Sequence, residues 1–132
     1  MVEAAAPSAP LILVVDDDAR IREVICDMLA DAGLRTVTAT DGNEVLNLSV
    51  NHRPALIIMD VMMPNMDGYT TLARLRSHPV TKGIPVVILS AHSTPVYHTL
   101  SAGTGAEAHL TKPFSPEDLT RAVQRILGSR PG

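Results

Sequence analysis

The chain has 132 residues, of which 45% are hydrophobic and 19% charged, and its formal net charge is -3. That profile suits one soluble globular domain with a real core and leaves little room for a second. It excludes a membrane span, since no run approaches about 20 apolar residues, and the absence of any Lys/Arg cluster argues against direct nucleic-acid binding.

The start, MVEAAAPSAP, lacks the basic-then-apolar pattern of a signal peptide and reads as a loose tail over residues 1–10. The single cysteine, Cys26, has no partner for an internal disulfide, so the chain fits a reducing, cytoplasmic setting. With one Phe and no Trp the core must be aliphatic.

The first apolar run, Leu11–Val15, is continuous and branched, as expected of a central parallel strand covered on both faces. Residues 19–30 follow with Ile21, Val24, Ile25 and Met28 at helical spacing as the inward stripe. Asp18 is placed to cap this helix, and Gly33 to take the left-handed position after it. A second, more mixed strand is expected over 34–39, followed by a short helix over 41–50 with Val45 and Leu48 inward.

A third strand over 55–59 is again continuous, and a helix over 67–76 buries Leu72 and Leu75. The fourth strand, 84–89, has Pro85 at its opening, where a missing ladder N–H is tolerated. A helix over 94–102 is followed by a mixed fifth strand over 106–110. Ser115 caps the final helix, 115–127, with Pro116 at its first position and Leu119, Ala122, Val123 and Ile126 as its buried stripe. Residues 128–132 read as a frayed end or the start of a linker.

Five alternations of strand and helix with short connections describe a doubly wound α/β domain over 11–127, with a five-stranded parallel sheet. Its ligand site is expected outside the carboxyl ends of the strands, where strand order reverses. The acidic residues fall at such ends: Asp16, Asp17 and Asp18 after the first run, and Asp60 after the third. Carboxylates brought that close need a cation, a proton or a basic side chain to offset their repulsion. Lys112, just past the fifth run, supplies the last. Carboxylates, a divalent metal and a lysine form a site that binds or transfers a phosphoryl group.

Four segments carry a resemblance over roughly 11–127: ILVVDDD at 12–18, IIMDVMMPNMDG at 57–68, VVILSA at 86–91 and HLTKPF at 109–114. In that order and at those intervals the chain closely resembles the receiver domain of bacterial two-component response regulators. The resemblance implies a flavodoxin-like (βα)5 fold with strand order 2-1-3-4-5.

It also implies that Asp60 accepts a phosphoryl group from a phosphohistidine on a sensor histidine kinase or a histidine phosphotransfer domain. Asp17 and Asp60 would coordinate Mg2+ directly, Asp16 directly or through a water, and the carbonyl of Met62 would be a further ligand; Mn2+ would substitute. Lys112 would reach the phosphoryl group, with Pro113 after it in a cis bond that is usual in the family. Ser90 would sense the phosphate through its hydroxyl, and Met62 and His92 would tune its loss. The downstream effector is left open.

His109 departs from the family, standing where Tyr or Phe is usual, and so bears on the usual aromatic switch. Glu107-Ala108-His109 and Ala122 also depart from the winged-helix DNA-binding class, leaving its typical dimer unsupported. Two other functions stay in view. One is a phosphate-independent or weakly switching protein-interaction domain; the other is an aspartyl-phosphate phosphatase, which typically needs a carboxylate where Met62 stands. A flavodoxin-like flavin binder shares the order of elements but lacks here a phosphate-cradling loop after the first strand. Of the remaining residues, Asp67 suggests turn chemistry, Phe114 core packing and Cys26 an unreactive thiol, while His52 and His78 suggest surface positions.

Overall fold

The computed structural model describes residues 9–60, 62, 63, 66–90 and 108–128, with the backbone alone at 62, 63, 66 and 67. Its elements in chain order are β1 (Leu11–Val15), α1 (Ala19–Asp31), β2 (Arg35–Ala39), α2 (Gly42–His52) and β3 (Leu56–Asp60). A two-residue pair, Met62–Met63 against Met66–Asp67, is antiparallel. Then come α3 (Gly68–Ser77), β4 (Val86–Ser90), β5 (Ala108–Thr111) and α4 (Pro116–Gly128). The helix expected over 94–102, and His92, lie outside the described residues.

The five strands form one parallel sheet in the order β2-β1-β3-β4-β5. Its middle strands are buried on both faces, whereas β2 and β5 at the edges are half-exposed. This agrees with the continuous apolar runs of the former and the mixed composition of the latter. Period-two alternation splits the core into two layers. Leu13, Val15, Ile57, Met59, Val86 and Ile88 pack with α2 and α3, through Val45, Leu72 and Leu75. Ile12, Val14, Leu56, Ile58, Val87 and Leu89 pack with α1 and α4, through Ile25, Leu29, Leu119, Val123 and Ile126. Phe114 is half-buried against this second layer, as expected of a packing residue.

The caps follow from local chemistry. Asp18 Oδ1 accepts the Arg20 N–H at 2.9 Å, and Asp41 Oδ1 accepts that of Glu44 at 2.8 Å. Ser115 and Asp118 exchange side-chain and backbone bonds at the start of α4, a capping box with aspartate as the acid. Helix α1 closes with Gly33 at φ 82°, where the Gly33 N–H reaches the Ala30 carbonyl and that of Leu34 the Leu29 carbonyl. That is the Schellman pattern, which needs the left-handed residue glycine supplies.

Several expectations are corrected. β3 and β4 run one residue further than expected, so that Asp60 and Ser90 are themselves the last strand residues. β4 begins after Pro85, whose carbonyl still accepts from the Ile57 N–H at 2.9 Å. Gly128 ends α4, and Ala9 and Pro10 are not loose: their carbonyls accept from Arg35, at 2.8 Å from Nε and 3.0 Å from N.

Val24, expected inward, is 50% exposed, and Leu29 takes the core position instead. An apolar stripe broader than the contact a helix makes with its sheet leaves one row outside. Ile25 and Leu29, four apart, face the sheet, while Val24 is turned about 100° away.

One polar group is buried at a cost. Ser49 on α2 is fully buried, and its hydroxyl has no hydrogen-bond partner among the described residues. A buried hydroxyl without a partner costs about 1–3 kcal/mol, and alanine is the better helix former. Ser49→Ala is therefore expected to raise unfolding stability by about 1 kcal/mol, read as a higher melting temperature. A lower one would mean that the hydroxyl fills space the methyl cannot.

Candidate functional site

The register of the central strands builds the site. Val15 pairs with Met59, so the next residues, Asp16 and Asp60, emerge side by side at the carboxyl edge of the sheet. Asp17 follows in the β1–α1 turn. Ligand oxygens of Asp16, Asp17 and Asp60 all lie within 4.8 Å of one another, and they are the one such acidic group among the described residues. Asp16 and Asp60 are buried; Asp17 is exposed, the open side of the cluster.

Lys112 enters from the end of β5. Its Nζ donates to Asp60 Oδ2 at 2.8 Å and to Asp16 Oδ2 at 2.9 Å. The side chains are 19% exposed for Lys112, 1% for Asp16 and 7% for Asp60, so these ion pairs are shielded from water. The lysine is anchored through its backbone, because the Lys112 N–H donates to the Ser90 carbonyl at 2.8 Å and Ser90 pairs with Thr111. The Lys112–Pro113 bond is cis, as expected.

The turn holding Asp16 is also tied. Asp16 Oδ1 accepts the Asp18 N–H at 2.9 Å, and the Asp16 carbonyl accepts from Arg22 Nη1 at 2.6 Å.

Electrostatics record the crowding. Burial pushes the Asp16 carboxyl above its ordinary range, opposed by the Asp18 N–H and by Lys112, with Asp60 adding repulsion. Burial pulls Lys112 down, but its bonds to Asp60 and Asp16 outweigh that and hold it above the usual lysine value. The ammonium is therefore firmly charged. Three hard oxygen donors around one point are what a small divalent cation such as Mg2+ takes, and the donor set contains no soft ligand.

A family model described as the response regulator receiver domain matches residues 12–124. The chain belongs to that family. Two further comparisons agree with a receiver domain in sequence and in fold. A structure of a putative response regulator from Chloroflexus aurantiacus is 35% identical, with a TM-score of 0.86, over 92% of this chain and 99% of that one. The receiver domain of the sensor histidine kinase PA1611 from Pseudomonas aeruginosa is 29% identical, with a TM-score of 0.84, over 92% of this chain and 100% of that one. That structure has a magnesium ion coordinated in its active-site cleft.

Among curated proteins, the phosphate regulon transcriptional regulatory protein PhoB of Escherichia coli is 35% identical over 116 residues, 88% of this chain. The receiver domain spans about half the length of that relative, 51%. Family membership makes the domain a phosphoacceptor module and not a turnover enzyme, with the acidic cluster poised for metal binding and phosphorylation.

Of the residues singled out in the sequence, Asp16, Asp17, Asp60 and Lys112 converge. Ser90 is fully buried at the end of β4, joined to Lys112 through the backbone. Met62 begins the short antiparallel pair two residues after Asp60. His109 sits in β5 opposite Ile88, half-buried, with both ring nitrogens shielded from solvent. It lines a hollow of about 310 Å³ with Leu110, Asp118, Arg121 and Arg125, a lining that includes none of Asp16, Asp17 and Asp60.

Sequence reasoning missed Arg22, whose side chain holds the Asp16 carbonyl. The signal available was its position on the first turns of α1, within reach of the β1–α1 turn. No described helix is long and apolar enough to cross a membrane.

Proposed function

We propose that the domain takes a phosphoryl group onto Asp60 from a phosphohistidine donor, and that modification alters the surface it offers a partner. The observation that carries this is the bridge from Lys112 to both Asp16 and Asp60, beside the open carboxylate of Asp17. Asp17 and Asp60, with Asp16 and the Met62 carbonyl, would hold Mg2+ or, in its place, Mn2+. The ion supplies positive charge that offsets repulsion between the carboxylates and the phosphoryl oxygens.

An ionised Asp60 oxygen is the nucleophile and needs no general base. The new bond joins that oxygen to phosphorus, the phosphorus–nitrogen bond of the donor breaks, and the imidazole leaves. Lys112, already 2.8 Å from Asp60, is placed to follow the negative charge onto the phosphoryl group as a point charge. The Ser90 hydroxyl is the group assigned to detect the arrival.

The donor is a sensor histidine kinase or a histidine phosphotransfer domain. An apolar hollow of about 520 Å³ next to Lys112, lined by Ile21, Val24, Met28, Pro113 and Phe114, suits contact with a protein donor. Incubation with acetyl phosphate and Mg2+ should add one phosphoryl mass to the intact chain, and none to Asp60→Asn. No mass increase in the parent with any donor, or an equal increase in Asp60→Asn, would refute the assignment.

A further inference from the structure

Three residues separate the end of β1 from the start of α1, and the outer two, Asp16 and Asp18, are tied differently. Asp18 caps the helix through Arg20, and its N–H holds Asp16 Oδ1. Lys112 holds Asp16 Oδ2. The carbonyl of Asp16 lies past the β1 ladder and before the helix ladder, whose first bond runs from the Arg22 N–H to the Asp18 carbonyl at 3.0 Å. Arg22 Nη1 reaches back to the Asp16 carbonyl at 2.6 Å, a charge-assisted bond. One residue thus clamps the turn twice, through its backbone to Asp18 and through its side chain to Asp16.

We propose that Arg22 is a positioning residue for the cation site: by holding the Asp16 carbonyl it fixes the direction in which Asp16 and Asp17 present their carboxylates. The inference rests on reading the acidic cluster as a Mg2+ site. Asp17 stands between two residues whose backbone and side chains are fastened, so the orientation of the 16–17 peptide decides where its carboxylate points. A ligand whose backbone is free to rotate must be ordered when the cation binds, and that ordering weakens affinity.

The charge of Arg22 works in the opposite direction. A guanidinium close to the cluster repels an incoming cation, so by Coulomb's law alone its removal should tighten Mg2+ binding. Positioning and charge therefore predict changes of opposite sign, and a single titration separates them.

The test is calorimetric titration of the unphosphorylated domain with MgCl2, for the parent, Arg22→Met and Arg22→Lys, with metal-free melts to establish that each is folded. Arg22→Met is expected to bind Mg2+ about tenfold more weakly than the parent, the usual scale for losing a group that orients a metal ligand. Arg22→Lys, which keeps a charged donor of similar reach, is expected to recover most of that loss.

Binding by Arg22→Met that matches or exceeds the parent's would overturn the positioning role and leave only the charge. Should Arg22→Met not fold, Arg22→Gln takes its place, a shorter donor for which the same weakening is expected and unchanged affinity is equally fatal. A parent that binds no Mg2+ would overturn the reading of the cluster itself, and this inference with it.

Discussion

Lys112→Met should cost the metal-free domain about 3 kcal/mol at neutral pH, the scale for removing one partner from a buried ion pair. The ammonium stands between two carboxylates that are almost wholly buried, and methionine fills much of the same volume without the charge. For a domain of this size the melting temperature should fall by roughly 10 °C.

The pH dependence has a definite sign. Asp16 is already raised by burial, with Lys112 among the groups that lower it, so in the variant its carboxyl should rise further. A carboxyl raised on folding binds its proton more tightly in the native state, so its contribution is present below its unfolded value and lost as pH climbs through the folded one. The gap between parent and variant should therefore shrink as pH falls through the raised Asp16 range and widen above it.

Lys112 itself, raised on folding, stabilises the parent below the ordinary lysine value, and that contribution is lost as pH rises through its folded value. Mg2+ should restore more stability to the variant than to the parent, because the cation takes over the missing compensation. Melts across pH with and without MgCl2 check each point. A variant as stable as the parent at neutral pH would mean that the carboxylates share a proton and do not depend on the lysine.

Asp17→Asn is the second large change. Asp17 is the exposed member of the acidic group, and on the Mg2+ reading it is a direct ligand. Removing one of the hard anionic donors should weaken Mg2+ binding by more than tenfold, about 1.4 kcal/mol or more. Repulsion around Asp16 and Asp60 falls at the same time, so the metal-free variant should melt no lower than the parent. Weaker binding together with unimpaired stability separates a ligand from a structural residue. Calorimetry and a melt on the same preparation suffice, and unchanged affinity would remove Asp17 from the coordination shell.

The acidic residues at the ends of Leu11–Val15 and of the third apolar run, with Lys112 after the fifth, were legible in the sequence because strand polarity alone sends them to one edge of a parallel sheet. Caps at Asp18, Ser115 and Gly33 were equally legible, being satisfied by bonds to neighbours a few residues away. Boundaries drifted by a residue or two where pairing decides them. Asp60 and Ser90 belong to their strands because the neighbouring chain continues past the apolar run. Val24 was misplaced because periodicity gives the width of an apolar stripe but not the area its partner covers.

By itself, the sequence determined the alternation of elements, the aliphatic two-faced sheet, the local caps and the four residues, Asp16, Asp17, Asp60 and Lys112, that converge at the sheet edge. Those properties depend on side-chain period, backbone preference and strand direction, all of which act over a few residues. Only the tertiary structure decided that Lys112 bridges Asp16 and Asp60, that Asp17 is the open carboxylate, that Arg22 clamps the turn beneath them, and that Ala9 and Pro10 are held by Arg35. Lys112 lies 96 residues from Asp16 along the chain. Which oxygen its ammonium meets is settled by register, burial and the competition among several nearby acids, all of them consequences of the assembled sheet.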